Sequence, residues 1–82
     1  MARGWVFIQV GNDAPTGFPD TLCIAPNGYH CFVEWKKHKT SKKQPLQQYW
    51  HDKLNKMGQD TWFVFPQNVN EWRAAVIKKG GV

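Results

Sequence analysis

"GFPDTLCIAPNGYHCFVEWK", residues Gly17 to Lys36, reads as a β-hairpin with one acid at each open end. Thr21 to Ala25 and His30 to Lys36 have the short apolar character of strands. Between them, Pro26-Asn27-Gly28 is turn chemistry, with Gly28 suited to the left-handed position of a three-residue loop. With the turn centred on Asn27, residues whose numbers sum to 54 face each other. Asp20 then lies opposite Glu34, with Cβ atoms about 4.5–5.5 Å apart. Strand alternation puts Lys36 on the same face as Glu34, and the same register sets Cys23 against Cys31 on the other face. A slip of one residue would bring Trp35 opposite Asp20 instead.

Two carboxylates at that separation repel each other unless something positive lies between them. A divalent cation would serve, since Mg²⁺ typically binds one or two carboxylates plus waters. A purely structural role is also open: Asp20, following Pro19, would cap a turn, and Glu34 would pair with Lys36.

Outward from the hairpin, the remaining elements follow in order. Trp5 to Val10 reads as a first strand, stopped by Gly11-Asn12-Asp13-Ala14-Pro15. After a basic loop, Pro45 suits a first helical position. Leu46, Tyr49 or Trp50, Leu54 and Met57 then recur at helical spacing as far as Gly58. Thr61 to Phe65 is another apolar strand, ended by Pro66. Asn68 or Asn70 can cap a last helix through Lys79, with Val69, Trp72 and Val76 on one face, and residues 80–82 read as a frayed tail. The order strand, strand, strand, helix, strand, helix predicts an α/β fold: a small mixed β-sheet with flanking helices, forming one domain over residues 1–82.

Composition narrows the function classes. The 82 residues are 15% aromatic, with five Trp and five Phe, so a small core can be built from few large rings. The net charge is +5, and "FVEWKKHKTSKKQ", residues Phe32 to Gln44, holds five lysines and one acid. Such a focused patch favours a polyanionic partner, either nucleic acid or an anionic membrane surface, although a solvated lysine loop would read the same way. The lysines fall in a loop rather than on a basic amphipathic helix, which speaks against the membrane. The apolar run Trp5 to Val10 is too short to span a bilayer and lacks the form of a signal-peptide core, so a cytoplasmic protein is expected. Cys23 and Cys31 form no CxxC, and His30, His38 and His51 are scattered. Neither a zinc site nor a disulfide is expected.

Gly17-Phe18-Pro19-Asp20, then Val33-Glu34-Trp35-Lys36, then Pro45-Leu46-Gln47 opening a helix, resemble the virus-type replication-repair nuclease (VRR-NUC) family of the PD-(D/E)XK nuclease superfamily. That family's usual pattern is a G-x-P-D turn, a hairpin, an E-x-K strand end, a short basic or glycine-containing loop, and S-P-L-Q starting a helix. The resemblance runs from Gly17 to about Phe65 and implies a restriction-endonuclease-like core that hydrolyses DNA phosphodiesters with Mg²⁺ or Mn²⁺ and no small-molecule cofactor. It implies Asp20 and Glu34 as metal ligands, with the main-chain carbonyl of Trp35 as a third. Lys36 would position or help activate the attacking water and stabilise phosphate charge. Gln47 would orient that water or a phosphate oxygen, while Lys37, Lys39, Lys42 and Lys43 would hold the DNA backbone. With no base-reading module in the sequence, selectivity for structure is implied: branches, flaps or four-way (Holliday) junctions. The family's frequency in phages associates the chain with a viral origin.

The sequence departs from that pattern in two ways. Family members usually begin with a helix that supplies another acid, and here the chain starts almost at the first strand, so that helix is expected to be lacking. Gln44 stands where the family has a capping Ser, which predicts a weaker helix start. Without the extra helix, the apolar face made by Thr21, Cys23, Ala25, Cys31, Val33 and Trp35 is expected to lack full cover. A homodimer would supply it. His51, one turn after Gln47, and Asp13, in the preceding loop, are minor candidates for the site. Trp50 and Trp72 are expected in the core rather than stacked on bases. The rival class is a non-catalytic nucleic-acid-binding or assembly subunit that keeps the fold.

Overall fold

The structure, a computed structural model, describes residues 3–81. Its elements are β1 (Val6–Gln9), β2 (Thr21–Ile24), β3 (His30–Trp35), α1 (Pro45–Lys56), β4 (Asp60–Val64) and α2 (Val69–Gly80). The strands form one sheet in the order β1-β2-β3-β4. The β1–β2 and β2–β3 pairs are antiparallel, and β3–β4 is parallel, with α1 as the crossover.

The hairpin has the register that its turn dictates. Thr21 faces Val33, Leu22 faces Phe32 and Cys23 faces Cys31. Gly28 takes φ +90°, a conformation that side chains resist. Asn27 fastens the turn, accepting the Tyr29 N–H at 2.9 Å and donating to the Lys79 carbonyl at 3.0 Å. Cys23 and Cys31 are fully buried free thiols.

Each helix covers one face of the sheet. On the face carrying Cys23, Cys31 and Val33, α2 lays Trp72 and Val76 to complete the main core with Trp5, Ala25 and Val64. Of the apolar hairpin face, α2 therefore covers Cys23, Ala25, Cys31 and Val33, while the end at Thr21 and Trp35 stays open, Trp35 being 44% exposed. Gly80 is the buried last residue of α2, lying where a Cβ would fall 2.5 Å from the Trp5 ring. The tail thus begins one residue later than expected, and Val82 lies outside the described residues.

On the opposite face, α1 buries Leu54 and half-buries Trp50 and His51. Leu46 and Met57, expected in its apolar stripe, are 49% and 66% exposed, and of the alternatives Tyr49 and Trp50 it is Trp50 that turns inward, Tyr49 being 50% exposed. The inward side of α1 is Gln47, Trp50, His51 and Leu54 instead. Strand β1 forms the edge of the sheet, and α2 meets the chain at Trp5, just before it. Val6, Phe7 and Ile8 are 51%, 49% and 45% exposed on this edge strand, and Trp35 at the end of β3 is 44% exposed. No helix among the described residues is long and apolar enough to cross a membrane.

Candidate active site

The ends of β2 and β3 bring the predicted residues together. The Asp20 carbonyl accepts the Val10 N–H at 2.7 Å, extending the β1–β2 ladder. Lys36 N–H donates to the Val64 carbonyl at 2.8 Å, extending β3–β4. Both main-chain positions are thus fixed by the sheet. Asp20 Oδ2 accepts the Trp35 N–H at 3.2 Å, which aims the carboxylate across the hairpin towards Glu34.

The loop before Asp20 reaches this position by nesting against α1. Gly17 has φ +86°, and a Cβ there would fall 2.6 Å from Leu46 Cβ and 2.9 Å from Gln47 N. Phe18 stands edge-on to Phe32 at 5.5 Å and to Trp50 at 5.3 Å, pinning the loop between β3 and α1. Glycine and phenylalanine before Pro19-Asp20 therefore set the distance from the turn to the helix.

Glu34 is 8% exposed. Burial, followed by the proximity of Asp20, pushes its carboxyl up to about 7, partly offset by Lys36. Gln47 connects the charges: its Nε2 donates to Glu34 Oε2 at 3.3 Å, and its Oε1 accepts from Lys36 Nζ at 2.6 Å. The same Oε1 accepts the Gln44 N–H at 3.1 Å. The opposite amide orientation would set an NH₂ against an ammonium and an N–H, so the network allows one arrangement. Gln47 also supplies the α1 start that Gln44 was expected to leave weakly capped. Lys36 Nζ lies 3.5 Å from the Lys42 carbonyl, which ties the basic loop to the site.

Lys37, Lys39, Lys42 and Lys43 are all exposed on that loop. Lys43 Nζ lies 4.7 Å over the Phe63 ring. The minor candidates stand apart from the network. His51 stacks on Phe63 at 4.7 Å with its pKa lowered by burial, and exposed Asp13 does not join the acids. Trp72 is core, and Trp50 packs on Phe18. Phe18 was missed as a site-building residue. Its signal was available: an aromatic immediately before Pro-Asp.

No group of three Asp, Glu, His or Cys side chains gathers among the described residues. The donor set is two carboxylates, hard oxygen ligands of the kind that Mg²⁺ and Mn²⁺ accept alongside carbonyls and water. Two facing acids, one held above its ordinary range, suit a small dication, whereas both thiols lie in the core away from them.

No family model matches the sequence, and no curated protein matches it. Among solved structures, a chain described as "VRR_NUC domain" is similar, at 34% identity with a TM-score of 0.67. The similarity covers 76% of this chain and 66% of the other, so this chain spans just under two thirds of that length.

Proposed function

This chain has the VRR-NUC fold, a nuclease-type fold, and from that premise we propose that it is a Mg²⁺- or Mn²⁺-dependent DNA endonuclease selective for branched, flap or junction DNA. One observation carries the reading: Asp20 and Glu34 converge at a strand end, where Gln47 couples Glu34 to Lys36. Asp20, Glu34 and the Trp35 carbonyl would hold the metal. A cation bound there supplies Lewis acidity, offsetting charge on the phosphoryl oxygens and lowering the pKa of water. Lys36 presents an ammonium to the phosphate and the attacking water. Gln47 fixes that ammonium and orients the water, and the exposed loop lysines hold flanking phosphates.

Cleavage assays on branched and linear DNA, with Mg²⁺, Mn²⁺ or EDTA, test the reading. Metal-dependent cutting that disappears in Asp20→Ala and Lys36→Ala is expected. The two-acid site keeps a second reading in view, a non-catalytic DNA-binding subunit. DNA bound by the wild type without any cutting would favour it.

The reading extends to a homodimer formed along β1. Its edge is unpaired, and Val6 and Ile8 are exposed on one side of it. Pairing two β1 edges antiparallel would set Val6 and Ile8 of the two copies against each other across the new strand pair and remove an aggregation-prone edge. Sedimentation at micromolar concentration should give a dimer that Ile8→Lys converts to monomer; a monomeric wild type would dismiss it.

A further inference from the structure

Beside Asp20, on the face of the sheet opposite α1, lies an open cleft of about 630 Å³ lined by Phe7, Gln9, Asp20, Thr21 and Trp35. Its size falls in the range of small-ligand sites, about 300–1,000 Å³. The walls are unusual for a solvent-facing surface. Phe7 is 49% exposed and Trp35 44% exposed. Two exposed aromatic rings lining one cleft make an apolar patch rather than scattered surface residues, and such patches mark binding grooves.

Trp35 is held rigidly in that position. Its Nε1 donates to Thr21 Oγ1 at 2.9 Å, and its ring stands edge-on to Trp72 at 5.5 Å. A Trp serving only the core would turn inward, as Trp72 does. Trp35 instead keeps nearly half its surface free while both of its anchors fix the ring plane. It also lies between Glu34 and Lys36 in the chain, and its N–H binds Asp20. A ligand touching this ring therefore lies beside Asp20 at the end of the sheet, with Glu34 and Lys36 just across it on the α1 face.

We infer that this cleft receives an unpaired nucleobase of the DNA strand whose phosphate lies on the Asp20–Glu34 site, stacked against Trp35 and Phe7. A base has flat apolar faces and polar edges. The cleft matches both, with two aromatic walls and the Gln9 amide and Thr21 hydroxyl between them. A paired base could not enter, so the cleft would supply the preference for branches and flaps. The inference rests on the nuclease reading for which phosphate occupies the site, and it also names the feature of DNA that is selected.

The test uses a duplex with a single-stranded flap carrying 2-aminopurine at the first unpaired position, compared with a fully paired duplex. Ca²⁺ replaces Mg²⁺ so that binding is read without turnover. The wild type is expected to quench the unpaired probe and to prefer the flap. Phe7→Ala should lose roughly 5- to 150-fold in flap affinity, the range for one base–aromatic stack, with duplex affinity unchanged. Phe7→Trp should restore it. Phe7 is half exposed on an edge strand, and circular dichroism follows the fold of Phe7→Ala and of a second variant, Trp35→Leu. An unchanged flap-to-duplex ratio in Phe7→Ala would overturn the inference, as would loss of self-association in place of base discrimination. The two readings fail separately. A wild type that quenches the probe yet never cuts with Mg²⁺ or Mn²⁺ keeps the cleft and removes the enzyme, whereas cutting with no flap preference does the reverse.

Discussion

Glu34 is the residue at which folding and chemistry pull in opposite directions. Its carboxyl is nearly buried and faces Asp20, so its pKa stands near 7 against an ordinary 4.5. A carboxyl whose folded pKa is raised contributes stability below about 4.5 and loses that contribution as the pH climbs through about 7. In EDTA, the thermal midpoint should therefore fall across that window. Asp20→Asn removes one of the two repelling charges but keeps an oxygen to accept the Trp35 N–H. It should abolish cleavage while raising the metal-free midpoint at pH 8, by roughly 4–8 °C for each kcal/mol gained at this chain length. Added Mg²⁺ should stabilise the wild type more at pH 8 than at pH 5, where binding must displace the Glu34 proton. A midpoint flat with pH in EDTA, or an Asp20→Asn variant less stable than its parent, would show that the two acids do not strain each other.

At the scale of elements, the hairpin was fully legible and α1 only half so. Register followed from Asn27-Gly28, because turn length fixes which residues face each other, and Asp20 reached Glu34 by that arithmetic. The stripe read for α1 was Leu46, Tyr49 or Trp50, Leu54 and Met57. The helix instead turns Gln47 and His51 inward and leaves Leu46, Tyr49 and Met57 to solvent. Apolar periodicity predicts the buried face only when burial alone sets the rotation. Here one glutamine satisfies a carboxylate, an ammonium and a main-chain N–H at once, and those bonds outweigh a more apolar orientation. The second hairpin face lacks full cover as expected, but only at its Thr21 and Trp35 end, because α2 after β4 lays Trp72 and Val76 over the rest. The contact between the turn and the start of α1 is where the fold meets the site, and Gly17 permits it. Gly17→Ala sets a Cβ against Leu46 at a φ of +86°. It should cost about 1–3 kcal/mol of stability and reduce cleavage further at temperatures where the variant is still folded. Gly11→Ala, whose Cβ would meet nothing within 4 Å, is the control. Equal melting temperatures for the two variants would show that the close approach does not constrain the turn.

Across the whole molecule, charge is concentrated rather than spread. Among the described residues the only ion pair joins Lys79 to Asp60 at 2.7 Å, at the far end of β4 from the acids. The exposed lysines of the loop after β3 are left without acidic partners, and the Lys42 carbonyl ties that loop to Lys36. A loop built this way should bind phosphates through counterion release, which makes affinity for duplex DNA fall steeply with salt and vary little with sequence. Each lysine that neutralises one phosphate contributes about 0.9 to the slope of log affinity against log salt. Lys42→Ala should lower that slope by about one such increment and leave the melting temperature unchanged, since its main-chain carbonyl still meets Lys36. Lys43→Ala should lower it equally and also cost about 0.5–1 kcal/mol of stability, because Lys43 rests on the Phe63 ring. Lys56→Ala, in the last turn of α1, should leave the slope as it was. Anisotropy titrations over roughly 50–300 mM salt resolve steps of that size. Equal slopes for all three variants would mean that DNA approaches by another face, and the acids would then have no phosphate brought to them.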